Sequence, residues 1–157
     1  MQKRFLTLFV LGLSLATALP SQTDPFLGNW KLNAKKSKFD PGPPRKSESR
    51  VVVTGPAGMN VSVKRVNGDG TTNEFEYTTN LDGKVYPIIG DAPDGADSVA
   101  ANLTAFNTMQ VSMTKAGKVI GTATILVSRD GKVLTITSKG HHADGKPFNE
   151  VAVYDKQ

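Results

Sequence analysis

The stretch Met109-Gln110-Val111-Ser112-Met113-Thr114-Lys115-Ala116-Gly117-Lys118 decides the fold class. Met109, Val111 and Met113 alternate with Gln110, Ser112 and Thr114, the period of two that sets one side of a strand against a dry core and the other against water. Ala116-Gly117 then marks a turn, because glycine accepts the positive φ that a tight hairpin demands. The same grammar runs outward in both directions. Met59, Val61 and Val63 alternate with Asn60, Ser62 and Lys64, and Phe75 and Tyr77 with Glu74 and Glu76. Turns fall at Asn67-Gly68-Asp69-Gly70, Asp82-Gly83, Asp94-Gly95, Asp130-Gly131 and Asp144-Gly145.

From Phe26 onward no window sustains apolar residues at i, i+3, i+4 and i+7, so helices are not expected. Fifteen Val and fifteen Thr supply β-branched side chains that suit a pleated surface. About ten strands are predicted, over 26–34, 47–54, 59–66, 72–80, 84–88, 97–103, 107–114, 118–128, 132–139 and 148–155. Short loops join nearly all of them. Such a meander closes most economically as a single up-and-down antiparallel barrel of about eight to ten strands, since closure removes exposed edges. An open sandwich is the alternative. The Gly-Lys turns at Gly83, Gly117, Gly131 and Gly145 are spaced unevenly and mark hairpins, not a repeat. Asp40-Pro41-Gly42-Pro43-Pro44 interrupts the pattern, because proline cannot donate to a ladder, and residues 35–46 are expected to form a loop without an apolar face.

Residues 1–18 stand apart. A basic head, Gln2-Lys3-Arg4, precedes an apolar run from Phe5 to Leu15 and a small-x-small site at Ala16-Thr17-Ala18, the three parts of a secretory signal peptide. Cleavage is expected after Ala18, or as late as Ser21. The run is about half of the ~20 apolar residues that a membrane-spanning helix requires. The expected domain is 26–157, exported to the periplasm or beyond, monomeric and not membrane-spanning. The absence of cysteine rules out disulfides, thiolate metal sites and a cysteine nucleophile.

The whole chain carries a net charge of +5; without Lys3 and Arg4, seventeen basic residues face fourteen acidic ones. The excess is local. Lys31, Lys35, Lys36, Lys38, Arg45, Lys46 and Arg50 lie within twenty residues, opposed there by Asp40 and Glu48. Among these, Lys35, Lys36, Lys38, Arg45 and Lys46 are candidates for docking an acidic partner or an anionic surface; a solvated loop is the plainer account. Phe39 is the one aromatic ring in the cluster, so no nucleic-acid partner is expected.

Phe26-Leu27-Gly28-Asn29-Trp30-Lys31-Leu32, followed by Ser37-Lys38-Phe39-Asp40, resembles the Gly-x-Trp opening of the calycin group, the lipocalins and fatty-acid-binding proteins. Val151-Ala152-Val153-Tyr154-Asp155-Lys156 resembles the closing strand of the fatty-acid-binding proteins. The chain is also similar in general appearance to small exported bacterial proteins with a lipocalin-like domain and no assigned activity. The resemblance implies a calycin-like barrel in which Trp30 plugs one end against the closing strand. It also implies an internal ligand, but the family's carboxylate-binding arginine would fall at Ala152, so its specificity does not carry over.

Trp30, Phe75, Tyr77, Met109, Met113 and Tyr154 are the candidates for lining a ligand cavity, or for filling the interior. No metal site and no cofactor are expected. His141 and His142 are adjacent and point to opposite faces of an extended chain, which places them in a surface turn. Asp91, Asp94 and Asp97 lack the closing Glu of a calcium loop and read as loop solvation. No Gly-x-Ser-x-Gly and no Ser/His/Asp order appears, so catalysis is not expected. Two functions follow as expectations: a non-catalytic barrel that binds a small, partly apolar molecule, or an interaction module that docks through residues 31–50.

Overall fold

The computed structural model describes residues 24–157. The leader expected over residues 1–18 lies outside them. Eleven strands follow in order: β1 (Gly28–Leu32), β2 (Lys38–Asp40), β3 (Ser47–Gly55), β4 (Gly58–Val66), β5 (Thr72–Thr79), β6 (Asp82–Gly90), β7 (Ser98–Ala105), β8 (Thr108–Lys115), β9 (Lys118–Val127), β10 (Val133–His141) and β11 (Pro147–Lys156). From β3 to β11 each strand pairs antiparallel with the next. β1 pairs with β3 on one side and with β11 on the other, which closes the sheet. The molecule is an all-β, closed, up-and-down barrel, and the open sandwich is excluded by that closing pair.

The strand that the alternation did not reveal is β2. It pairs Lys38, Phe39 and Asp40 with Val151, Glu150 and Asn149, on the same edge of β11 that β1 occupies further along at Tyr154–Lys156. One barrel position is therefore shared by two short strands, separated by a 3-10 turn at Ala34–Lys36. Three residues followed by a proline run are too short to show a period. Phe39 also gives this segment an apolar contact with the core, which corrects the expectation of a plain loop over 35–46.

Because the strands alternate in direction, the connections sort into two ends. Residues 41–46, 67–71, 91–97, 116–117 and 142–146 crown one end. Residues 24–27, 56–57, 80–81, 106–107 and 128–132 cover the other. At this second, closed end Trp30 is 1% exposed, its indole Nε1–H donates to the Phe26 carbonyl at 2.9 Å, and the Lys156 ammonium lies 5.0 Å from the centre of its ring. Gly28 begins β1 at φ +132°, with the Lys156 chain where a Cβ would stand, so this position admits no side chain at low cost. Val52, Val63, Val99, Val127 and Leu134 extend the apolar core from there. No helix among the described residues is long and apolar enough to cross a membrane.

Candidate functional site

On β3 the inward positions are Glu48, Arg50 and Val52, and on β4 they are Met59, Val61, Val63 and Arg65. The pleat that aims valines at the core therefore aims two arginines and a glutamate at it as well. Glu48 is 2% exposed and lies at the centre of a hub. Its Oε1 accepts from Arg50 Nε at 2.8 Å and from the Tyr154 hydroxyl at 2.7 Å. Its Oε2 accepts from Arg65 Nε at 2.7 Å and lies 3.3 Å from Arg45 Nη1. Arg45 also pairs with Glu150 of β11 and lies over the Phe39 ring. Arg50 lies over the ring of Tyr154.

The electrostatics follow from this crowding. Burial alone would raise the Glu48 carboxyl, but Arg65, Arg50, Arg45 and the Tyr154 hydroxyl outweigh it and hold the group well below the usual carboxylate range. Tyr154 is pushed up to about 12, first by burial and then by the Glu48 charge its hydroxyl faces. Burial also raises Tyr77, against the opposing pull of Arg50 beside it. Glu48 is thus a fixed anion, and Tyr77 and Tyr154 are fixed neutral hydroxyls.

Beside the hub is a cavity of about 450 Å³ that opens at the crowned end. Its two sides differ in kind. Arg45, Arg50, Arg65, Tyr77, Glu150 and Tyr154 line one; Val111, Met113, Ile120, Ala123, Ile125 and Ile136, from β8 to β10, line the other. The mouth is framed by Pro41-Gly42-Pro43, by Asn67-Gly68-Asp69, by Pro93-Asp94 and by His142. Pro43 packs directly on Gly68, so closely that any side chain at Gly68 would meet the proline ring. Inside the rim the Phe148 ring covers Gly121 and Gly140, which face each other across β9 and β10 and leave it room by having no Cβ.

The structure divides the sequence candidates. Tyr77, Met113 and Tyr154 line the cavity. Trp30, Phe75 and Met109 are buried in the core outside its lining. In the basic segment Lys35, Lys36, Lys38 and Lys46 are exposed and Lys36 pairs with Asp155 at 3.2 Å, but Arg45 turns inward to the two glutamates and Arg50 belongs to the hub. This part of the cluster is an internal charge network, not a docking patch, because two carboxylates inside the barrel draw those guanidinium groups in.

The histidine turn and the aspartate loop are also more specific than solvation. The His142 ring lies against Phe148, tilted by 39° with ring centres 5.0 Å apart, and its Nδ1 lies 3.1 Å from Asp94, which also accepts from the Ala143 N–H. Asp97 accepts from the Ala116 N–H at 2.6 Å. These carboxylates tie neighbouring loops together across the mouth. Among the described residues no three His, Asp or Glu side chains come together as a metal site would require.

Arg65 was within reach of the alternation, one step beyond Met59, Val61 and Val63. Glu48 and Arg50 were hidden by Val51-Val52-Val53, a continuous apolar run that carries no phase. Glu150 required the register of β11 against β2.

No family model matches the chain, and no curated protein matches it. Among solved structures it is similar to a crystal structure of zebrafish ileal bile acid-binding protein complexed with cholic acid, at 11% identity and a TM-score of 0.48, over 85% of this chain and 99% of that one.

Proposed function

We propose that the protein binds a small, partly apolar molecule inside its barrel and does not transform it. One observation carries this reading: the 450 Å³ cavity has a hydrogen-bonding side and an apolar side and opens through a framed mouth. Its volume falls in the usual range for small-molecule sites, which combine an apolar lining with a few placed polar groups. Glu48 is already engaged by three guanidinium groups and a hydroxyl, so it offers neither a free base nor a proton. The basic and apolar segments of residues 1–18 support the further reading that the protein works outside the cytoplasm.

The test is titration with N-phenyl-1-naphthylamine, a neutral fluorophore that brightens in apolar surroundings. Saturable binding at one site is expected. Ala123→Phe adds a ring to the apolar side, where the cavity has space, and should cut affinity about tenfold or more while leaving the fold intact. Absence of saturable binding to the unmodified protein, or undiminished binding by the folded variant, would overturn the reading. Native mass spectrometry of protein purified from its own host would identify the occupant.

A further inference from the structure

The outer wall of the barrel has a hollow of its own. Across β7 to β11 the outward positions fall into register as two rows that cross the strands: Ser112, Thr122, Lys139 and Asn149 in one, Asn102, Gln110, Thr124 and Thr137 in the other. Together they line a groove of about 620 Å³. Lys139 is its one charge, it has no carboxylate and no aromatic ring, and its other polar side chains are hydroxyls and amides. The wall of β3 to β5 differs: it turns Lys64, Glu74 and Glu76 outward, with Lys64 and Glu74 paired at 2.8 Å. Nothing in the fold asks for the groove's side chains. Asparagine is disfavoured within strands, yet Asn102 and Asn149 hold interior positions of β7 and β11. No hydroxyl or amide of the two rows hydrogen-bonds a described residue, whereas Asn60, Asn67 and Asn73 elsewhere are engaged by Thr78, Thr71 and Asp91. The groove is a field of free donors and acceptors.

We infer that this outer groove binds a neutral, extended polysaccharide, laid across the strands between the two rows. Charge complementarity selects the class. A polyanion needs several cations along its track and finds Lys139 alone. A protein partner is held by aromatic or arginine anchors near the centre of its contact, and the groove has neither. Sugar hydroxyls both donate and accept, and so do the hydroxyls and amides that meet them here. Spacing selects the shape. Neighbouring strands are about 4.8 Å apart, so each row offers one side chain at about that interval, close to the advance of one ring along an extended β-linked glucan. The rows stand two residues apart along the strands, about 6.7 Å, and reach the two edges of a single chain.

Cellohexaose and maltohexaose test this, since they share composition and neutrality and differ in linkage, the first extended and the second coiled. Titration calorimetry should show saturable binding of cellohexaose, about tenfold tighter or more than that of maltohexaose, and insensitive to added salt. Gln110→Val, Thr124→Val and Thr137→Val together suit a strand and strip one row of most of its hydrogen bonds. The triple variant should bind cellohexaose about tenfold more weakly or worse and bind N-phenyl-1-naphthylamine as before. Should it not fold, amide chemical shifts of the unmodified protein serve instead: cellohexaose should move Gln110, Thr124 and Thr137 and leave Arg65 and Tyr77 in place. Absence of saturable cellohexaose binding, equal binding of maltohexaose, binding abolished by salt, a folded triple variant that keeps its affinity, or shifts confined to the interior cavity would each overturn the inference. The naphthylamine titration reads the interior cavity separately, so failure of the groove leaves that reading standing.

Discussion

The two ends of the barrel interior use the same strands and fill them in opposite ways. At the closed end Trp30, Phe26, Val52 and Val127 bury rings and methyl groups, and the one polar atom among those side chains, the indole N–H, is answered within β1's own lead-in. Two pleats along β3 toward the mouth, the inward position is held by Glu48, with Arg45, Arg50, Arg65 and Tyr154 around it. Apolar burial at the first end stabilises the fold by about 25 cal/mol for each Å² removed from water. Burying five formal charges near the second costs desolvation that their mutual attraction offsets at best. A network of that kind is poorly explained by stability, which supports assigning it to recognition.

Removing one residue from each region gives the largest expected effects. Trp30→Ala should lower stability by about 3–5 kcal/mol through lost burial and the cavity it leaves, equally in acid and at neutral pH. Glu48→Ala should cost a similar amount, about 3–5 kcal/mol, because it leaves three guanidinium groups without their common anion. Replacing Glu48, Arg50 and Arg65 together by Leu, Met and Met should restore stability to near that of the unmodified protein. Denaturant unfolding of the set checks this. A triple variant as unstable as Glu48→Ala would show that the hub is a structural necessity, and the contrast between the two ends would collapse.

Titration sharpens the same contrast at a smaller scale. The Glu48 carboxyl is held below its unfolded value, so its contribution is complete above about pH 4.3 and is lost as pH falls below that. Tyr154 has the opposite sign. Its folded value of about 12 exceeds the unfolded value near 10, so its contribution is complete below about pH 10 and is lost as pH rises toward 12. The difference between unfolding free energies of the unmodified protein and Tyr154→Phe should therefore shrink over that alkaline window, by an amount on the order of 2 kcal/mol. A difference independent of pH would mean that the hydroxyl does not face a charged Glu48.

How much of this was legible in the sequence follows the same division. Strand order, closure and the apolar end were readable because alternation and turn chemistry are local: Met109, Val111 and Met113 declare their face within five residues. β2 was not, since three residues cannot show a period and its pairing with Asn149–Val151 is set by closure. The site was legible in fragments. Of the six residues offered as lining or filling the interior, Tyr77, Met113 and Tyr154 meet the cavity, while Trp30, Phe75 and Met109 are packed in the core. The charges that give it a chemical character were assigned to water, because charged residues are seldom fully buried unless paired, and the pairing spans β3, β4 and β11. Counting Arg45 with Lys35 and Lys46 as one basic segment followed sequence proximity; the structure separates them by which side of the wall they face.

That separation yields the smallest expected effect. Lys35, Lys36, Lys38 and Lys46 remain outside, and an exposed pair such as Lys36 with Asp155 gains little from Coulomb attraction in water. Replacing these four with Gln, and leaving Arg45 in place, should not shift the melting curve beyond the scatter of replicate scans. If the outer cations dock an anionic surface, the unmodified protein should adhere weakly to phosphatidylglycerol vesicles and not to phosphatidylcholine, and the four-Gln variant should not adhere. The adhesion should fade between 0.1 M and 1 M salt, as the screening length falls from about 10 Å to about 3 Å. Binding of N-phenyl-1-naphthylamine in the cavity should be the same in both proteins, because none of the four lysines lines it. A variant that loses vesicles and dye together would show that the wall between the outer cations and the cavity does not divide the protein's chemistry.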